Sequence, residues 1–309
     1  MKVRFWGVRG SIPTPGPETV RYGGDTTCIE VRAGGELIII DAGSGIRRLG
    51  MHLLKEAEGQ PIHAHLLITH THWDHIQGFP FFQPAFTPGN SFHVYGCGNT
   101  HKKLEEILAG QMESEYFPVP LGDMAAAMHY IGISEQRFEI GDVQIQTMFV
   151  NHPGMALGYR IEHAGNVLVF SGDHEPYDYF LSTAEEAYQI DGESISLAEV
   201  EIDEWIARLN RKLVKFAEGA DLLIFDATYR YELYKAEKRG WGHSYPEYAV
   251  EIAVRAGSKR LALTHHEPLE TDREVDAKVE HTCQFIENIG ADIECLGAQV
   301  GLEVHIGET

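Results

Sequence analysis

The sequence predicts an α/β fold with four layers, αββα, in which two β-sheets pack face to face and helices cover both outer faces. Short apolar runs alternate with helical patterns and glycines along the 309 residues. The runs form two strand-rich halves, and helical patterns flank each half. We expect a single domain over residues 1–309, without internal repeats, that carries an acidic insertion at about residues 175–215.

The first half reads as strands followed by helices. Runs rich in β-branched and aromatic residues predict strands at residues 3–8, 27–32, 36–40, 65–68 and 92–95. Apolar residues at helical spacing predict helices at residues 45–58, 74–79 and 100–109.

The second half repeats this alternation. Strands are predicted at residues 143–150, 157–161, 167–170, 222–225, 260–263 and 292–294. Helices are predicted at residues 245–256 and 274–289.

Composition and charge narrow the class of protein. A hydrophobic content of 43% supports a substantial core, and the net charge of −21 argues against a basic face for long nucleic acids. The apolar runs are too short to span a bilayer, and residues 1–10 lack the apolar core of a signal peptide. The four cysteines form no paired motif. We therefore expect a cytoplasmic protein with reduced thiols and no membrane partner.

The most informative motif is the cluster of His70, His72, Asp74 and His75 after the predicted strand at 65–68. Imidazole nitrogens and carboxylate oxygens are ligands of zinc, manganese and iron. His70 and His72 point the same way in an extended segment, while Asp74 and His75 open the next turn and can face a second ion. Chance clustering among 17 histidines is the alternative, and the turn spacing makes it the weaker one.

Three further candidate ligands each follow a predicted strand in the second half: His152, Asp173 and His265. Loops at strand ends commonly carry chemistry on a rigid scaffold. Each residue alone could simply cap a loop. Together with the first cluster they complete a set of ligands for two metal ions.

These motifs resemble the metallo-β-lactamase superfamily, and the matches run from Gly7 to His265. The resemblance implies the metallo-β-lactamase fold and a two-metal site. One ion would be held by His70, His72 and His152, the other by Asp74, His75 and His265, with Asp173 bridging them.

Two neighbouring residues belong to the same comparison. Asp41, in Ile-Ile-Asp-Ala-Gly-Ser-Gly, matches the early aspartate that family members use to brace the metal loop. His266 adjoins His265 and leaves the last ligand open between the two, although the Leu-Thr-His pattern favours His265.

A subgroup is indicated by Asp226 in Phe-Asp-Ala-Thr and by His243 in Gly-His-Ser. These elements resemble the ribonuclease Z and phosphodiesterase branch, in which an acidic residue orients a histidine that protonates the leaving oxygen. Residues 5–13 resemble the glycine-rich opening of that branch more weakly. Arg9 stands in this opening, where it would either contact phosphate or pair with an acidic neighbour.

The resemblance and the chemistry of phosphodiesters together predict a mechanism. Two divalent ions, with zinc as the first choice and manganese or iron as alternatives, would activate a bridging hydroxide. We assign catalysis to Asp74, Asp226 and His243, with Asp74 also a ligand and His243 as the general acid. His243 as an ordinary residue at a helix start is the alternative.

The choice of substrate depends on missing and added segments. Ribonuclease Z proteins carry a basic arm between the matches to His152 and Asp173, and only twenty residues separate these positions here. Residues 177–207 instead contain nine acidic residues and no Lys or Arg. This stretch is interpreted as a lid, a dimer contact or a surface decoration.

We therefore expect a phosphodiesterase for cyclic nucleotides or similar small anionic phosphodiesters, without a long nucleic acid as partner. The alternatives are a ribonuclease Z-like enzyme and a hydrolase of thioesters or lactones. A homodimer is what the resemblance implies for assembly.

Overall fold

The computed structural model describes residues 1–99, 101–178, 188–190, 193–195 and 202–307. Most of the acidic insertion therefore lies outside the described residues, and so does the prediction of its role.

The first sheet contains seven strands among the described residues, in the order β16-β1-β2-β3-β4-β5-β6. The strands β3, β4, β5 and β6 run parallel, whereas β16, β1, β2 and β3 are antiparallel neighbours. Their bounds are β1 Lys2–Gly7, β2 Cys28–Ala33, β3 Glu36–Ile40, β4 His63–Leu67, β5 Ser91–Gly96, β6 Ala127–Gly132 and β16 Glu303–His305.

The second sheet also has seven described strands, in the order β15-β14-β13-β10-β9-β8-β7. Here β10, β13, β14 and β15 are parallel, and β7, β8, β9 and β10 are antiparallel. Their bounds are β7 Arg137–Ile140, β8 Val143–Phe149, β9 Leu157–His163, β10 Asn166–Phe170, β13 Leu222–Asp226, β14 Arg260–Thr264 and β15 Glu294–Gly297. A separate short hairpin joins β11 Tyr188–Ile190 to β12 Glu193–Ile195.

Helices cover the outer faces of the two sheets. The first sheet carries α1 and α3, and the second sheet carries α4, α6 and α7. The bounds are α1 Gly45–Ala57, α2 Trp73–Ile76, α3 Leu104–Gly110, α4 Ile202–Ala217, α5 Tyr231–Leu233, α6 Pro246–Ala256 and α7 Asp272–Asn288.

The side-chain pattern of β3 shows how one strand serves two layers. Ile38 and Ile40 belong to the core between the sheets, while Ile39 packs on the opposite face with α1. Successive side chains of a strand point to opposite faces, so a strand buried on both faces needs a continuous apolar run. The predicted four-layer αββα sandwich is confirmed, whereas the division into a single domain stays a prediction.

Several element predictions were wrong in their limits. The helix predicted at 100–109 begins at Leu104, and the one at 74–79 ends at Ile76.

The strands β6, β7 and β16 were not predicted. The strands β6 and β16 lie at the two edges of the first sheet, and β7 lies at an edge of the second. The end of the predicted insertion is α4, whose buried Leu209 and Leu213 make it part of the second sheet's cover.

Among the described residues, no helix combines the length and the apolar character needed to cross a bilayer.

Candidate metal centre

The candidate site lies where parallel strands of both sheets end. Asp41 directly follows β3, and His70 is the third residue after the end of β4. In the second sheet Asp173 follows β10, and His265 follows β14. Carboxyl ends of parallel strands meet at one edge of a sheet, so side chains that are distant in sequence come together there.

The structure brings the seven predicted ligands into two adjoining groups. Within each group one ligand atom per residue lies within 4.8 Å of every other. The first group is His70, His72 and His152, and the second is Asp74, His75, Asp173 and His265. The Asp173 Oδ2 atom also lies 3.6 Å from His70 Nε2, between the two groups. Two adjoining groups of ligands, with Asp173 between them, are the arrangement that a pair of neighbouring metal ions requires.

Four of the five histidines use Nδ1 outside the cluster, and their Nε2 atoms face into it. His70 Nδ1 lies 3.1 Å from Thr69 Oγ1, and His265 Nδ1 lies 2.9 Å from Thr228 Oγ1. His152 Nδ1 donates to the Gly242 carbonyl at 2.7 Å. Metal-ligating histidines characteristically donate their other ring N–H in this way, which fixes the tautomer and the ring plane.

The fourth such histidine is His75, whose Nδ1 donates to Asp41 Oδ2 at 2.7 Å. Asp41 Oδ1 accepts a hydrogen bond of 2.7 Å from the Thr69 backbone N–H. Asp41 also adopts a φ of 61°, which is uncommon for a residue other than glycine and occurs often at functional sites. Asp41 thus holds both ends of the loop from Thr69 to His75.

An unsatisfied atom supports metal binding by this site. Among the described residues, the buried Asp173 Oδ1 atom has no hydrogen-bond partner, although a buried carboxylate oxygen normally has one. His72 Nδ1 lies 2.9 Å from His70 Nε2 and 3.0 Å from His152 Nε2. Three converging imidazole nitrogens and a carboxylate oxygen without a partner fit divalent metal ions.

Electrostatics divide the histidines into two kinds. Burial lowers the pKa of His152 to about 3 and lowers the pKa of His70 well below its ordinary value. Burial also opposes the charge of His265, but Asp173, Asp74 and Asp226 outweigh it and raise its pKa to about 9. Neutral imidazoles bind metals directly, whereas a protonated His265 must first release a proton.

Asp226 and His243 form a pair beside the second group. His243 Nδ1 donates to Asp226 Oδ2 at 2.9 Å, and the His243 ring stacks on the His265 ring with centroids 4.6 Å apart. Asp226 is fully buried and also accepts hydrogen bonds from the backbone N–H groups of His174 and Thr228. The pair with Asp173 and His265 could itself hold an ion, so the geometry permits His243 as an acid or as a ligand.

The N-terminal opening contributes to the site through its backbone. The Ser11 N–H donates to Asp74 Oδ2 at 2.7 Å. A Cβ atom at Gly10 would meet the His265 ring at 2.2 Å, so only glycine allows the chain to pass this close.

Arg9 is fully buried and turns toward loop carbonyls. Its guanidinium donates to the carbonyls of Gly23, Glu267 and Glu270, and its Nη2 lies 3.9 Å from Asp272. Of the two predicted roles of Arg9, the structure therefore shows the pairing with an acidic neighbour, Asp272.

His266 is not part of the cluster. Its Nε2 donates to the Ala298 carbonyl at 2.9 Å on the other side of the strand end. The structure therefore places His265, and not His266, beside Asp74 and Asp173.

One residue that bears on the site was missed in the sequence. Glu175 is buried, and its carboxylate accepts hydrogen bonds from the Gly240 N–H at 2.6 Å and the Gly242 N–H at 2.8 Å. It holds the loop that carries His243. Its place two residues after Asp173 was the available signal, but nothing in the sequence links it to residues 240–242.

Comparisons with known proteins agree with this geometry. Residues 36–205 match the family model described as Beta-lactamase superfamily domain. The chain is 25% identical over 288 residues to Ribonuclease Z of Haloarcula marismortui, covering 86% of each chain. It is 29% identical over 299 residues to Ribonuclease Z of Thermococcus onnurineus, covering 88% of this chain and 89% of the relative.

Two solved structures share the fold. The short form of human tRNase Z superposes with a TM-score of 0.60 at 19% identity, covering all of both chains. Unliganded yeast PDE1 superposes with a TM-score of 0.62 at 13% identity, covering 98% of both chains.

Proposed function

The chain belongs to the metallo-β-lactamase superfamily, in the branch of ribonuclease Z and the phosphodiesterases, and from this premise we propose that this metal-dependent hydrolase cleaves RNA phosphodiester bonds. The observation that carries the reaction type is the buried Asp226–His243 pair against His265. A phosphodiester needs help with a poor alkoxide leaving group, and a positioned acid supplies it.

The residues divide the chemistry between them. The seven ligands would hold the metal ions, whose positive charge would activate water and attract the phosphate. His243, with Nδ1 committed to Asp226, has Nε2 left to hold the proton for the leaving oxygen. Asp74 accepts a hydrogen bond from the Ser11 N–H and contacts His265 Nε2, so its carboxylate is held between the N-terminal loop and His265.

RNA is the substrate that the relatives favour. Those described above are named Ribonuclease Z and match most of this chain, at 25% and 29% identity. The earlier expectation that long nucleic acids are excluded finds no support in these names. The net charge of −21 does not prevent RNA binding if metal ions held at the site supply local positive charge for the phosphates.

A cyclic-nucleotide phosphodiesterase is the second candidate, and the β9–β10 hairpin favours it. In this hairpin His163 and Asn166 pair across a turn of only Ala164 and Gly165. The segment between His152 and Asp173, where the resemblance places a basic arm, is therefore occupied by two strands and short loops. A small substrate would not need such an arm.

Further parts of the proposal concern composition and setting. The donor set of imidazole and carboxylate suits two zinc ions, with manganese or iron as alternatives. A single domain, a cytoplasmic location and a homodimer complete the proposal.

A substrate panel tests the proposal. Protein reconstituted with zinc or manganese is assayed with bis-p-nitrophenyl phosphate, an RNA that carries a 3′ extension, cyclic nucleotides, a thioester and a lactone. We expect phosphodiester turnover with cleavage of the RNA. Cyclic-nucleotide turnover without RNA cleavage would select the second candidate, and thioester or lactone turnover alone would overturn both.

A further inference from the structure

The exposed indole of Trp241 lies on the loop that Glu175 holds, and Lys238 ends the helical turn just before that loop. We propose that Trp241 and Lys238 form the subsite for the nucleoside that leaves in the reaction, with the base stacking on Trp241 and Lys238 contacting a phosphate. This inference rests on the proposed function, and it assigns a substrate-binding role to two residues outside the ligand set and the acid pair.

A chain of ring contacts connects the two residues to His243. The Tyr229 and His243 rings meet edge to face with centroids 5.9 Å apart. The Lys238 Nζ atom lies 5.6 Å from the centroid of the Tyr229 ring and 3.6 Å from that of Trp241. The ammonium group therefore lies between the Trp241 and Tyr229 rings, and the Tyr229 ring in turn contacts His243.

The backbone around Trp241 is fixed on both sides. Glu175 accepts hydrogen bonds from the N–H groups of Gly240 and Gly242, and the Gly242 carbonyl accepts one from His152. Trp241 stands between these anchored glycines, yet its side chain is 57% exposed. An indole that is held rigidly and left open to solvent can stack on a base at little entropic cost.

The charge of Lys238 is available for a phosphate. The neighbouring Arg239 is engaged by Asp178 at 2.9 Å. Among the described residues, Lys238 forms no salt bridge with a carboxylate, and its ammonium group lies over the Trp241 ring. In a protein with a net charge of −21, a cation separated from His243 by the Tyr229 ring offers a local attraction for a nucleotide phosphate.

The position of the subsite defines which nucleoside it takes. His243 would give its proton to the departing oxygen, so groups on its side of the phosphorus contact the leaving fragment. Trp241 precedes His243 by two residues and joins it through Lys238 and Tyr229. The subsite therefore selects for a purine or pyrimidine on the leaving side, a selection that a plain alkyl leaving group cannot satisfy.

A substrate with one base removed provides the first test. Metal-reconstituted wild type, Trp241→Ala and Trp241→Phe are compared on an RNA with and without the base of the leaving nucleotide. We expect Trp241→Ala to lower kcat/KM roughly 10- to 100-fold on the intact RNA and little on the abasic one. Trp241→Phe should recover most of the loss, because phenylalanine also offers an aromatic face. Equal losses on both RNAs would overturn the proposal.

Trp73 provides a matched control. It is 76% exposed and stands between two candidate ligands, His72 and Asp74. The effect of Trp73→Ala should not depend on the leaving base. A base-dependent loss in Trp73→Ala and none in Trp241→Ala would move the subsite to α2.

Fluorescence provides a second readout that does not need turnover. AMP should quench the indole emission of the metal-reconstituted wild type more than that of Trp241→Phe, and ribose 5-phosphate should quench neither. Lys238→Gln should weaken AMP binding several-fold and leave adenosine binding unchanged. Equal quenching in wild type and Trp241→Phe would overturn the subsite. A protein that hydrolyses no phosphodiester but shows the expected AMP quenching would refute the proposed function alone.

Discussion

The Nδ1 atom of His243 lies 2.9 Å from Oδ2 of Asp226, and this contact ties a residue of the Gly-His-Ser loop to the carboxyl end of β13. Burial alone would raise the pKa of Asp226, but the neighbouring His243 imidazole outweighs it and keeps the pKa low. An ionised Asp226 holds the Nδ1 proton of His243 in place. The other ring nitrogen is then directed to the substrate.

Asp41→Asn should weaken metal binding without unfolding the protein. Asp41 accepts hydrogen bonds from His75 and from the Thr69 N–H, and loss of such a partner of a ligand typically costs about 10- to 100-fold in metal affinity. Titration against a competing chelator measures the change. Asp142→Asn removes an exposed Asp–His hydrogen bond of 3.1 Å between the β7–β8 turn and His163 of β9, and should leave the affinity unchanged. Equal affinities in both variants would contradict the role of Asp41.

Metal binding should release protons at neutral pH. The pKa of His265 is about 9 because nearby carboxylates outweigh burial, so its imidazole is protonated near pH 7 in the absence of metal. The apparent metal affinity should therefore rise as the pH increases through about 9. Calorimetry in buffers with different ionisation enthalpies measures the protons released.

The same group sets a trend in stability for the metal-free protein. Because the pKa of His265 is higher in the folded than in the unfolded protein, protonation of this histidine stabilises the folded state. This stabilisation is fully present below the unfolded pKa of about 6.5 and is lost as the pH rises through the folded pKa of about 9. The Tm of the metal-free protein should fall over that interval, and His265→Asn should flatten the fall. His281→Ala, which removes an exposed histidine, serves as the control and should keep the slope. A Tm that rises over the interval would contradict the assigned charge.

Gly242→Ala should impair the first metal group. The residue has a φ of 87°, and an added Cβ would meet His152 Nδ1 and Pro153 Cδ at 2.5 Å each. Gly290→Ala is the matched control, because its φ of 68° imposes a similar strain of roughly 1–2 kcal/mol with nothing within 4 Å. Metal content and turnover should fall in Gly242→Ala only. A normal metal content in that variant would show that His152 tolerates the displacement.

Arg9→Lys should destabilise the protein and leave turnover of the folded, metal-saturated enzyme nearly unchanged. Lysine cannot reproduce the guanidinium geometry that serves the carbonyls of Gly23, Glu267 and Glu270, and each buried acceptor left unsatisfied costs about 1–3 kcal/mol. Urea unfolding measures the loss, with Arg137→Lys on the exposed strand β7 as control. A large rise in KM without a loss of stability would instead place Arg9 on the substrate phosphate.

Sequence reasoning identified the seven candidate ligands because each has its own local signal. His70 to His75 form a dense motif, and His152, Asp173 and His265 each follow an apolar strand. Strands buried on both faces, such as β3 and β13, were placed well because their apolar runs are continuous.

The rest depended on contacts between distant segments. The Glu175 carboxylate accepts hydrogen bonds from the backbone N–H groups of Gly240 and Gly242. Nearly every residue type has such a group, so the sequence does not indicate these contacts. Trp241 and Lys238 belong to no sequence motif. Their proposed role depends on the exposure of Trp241 and on the contacts of Lys238 with the Trp241 and Tyr229 rings. The edge strands β6 and β16 were missed because short, partly exposed strands lack a long apolar run.

The response of His243→Ala to the leaving group tests the central claim most directly. Turnover of an RNA, with its alkoxide leaving group, should fall on the order of a hundred- to ten-thousand-fold, because the leaving oxygen then lacks its proton donor. Turnover of bis-p-nitrophenyl phosphate, whose leaving group departs readily as an anion, should change far less, and the metal content should stay at two ions per chain. Equal losses on both substrates, or loss of metal, would contradict the assignment of His243 as the general acid.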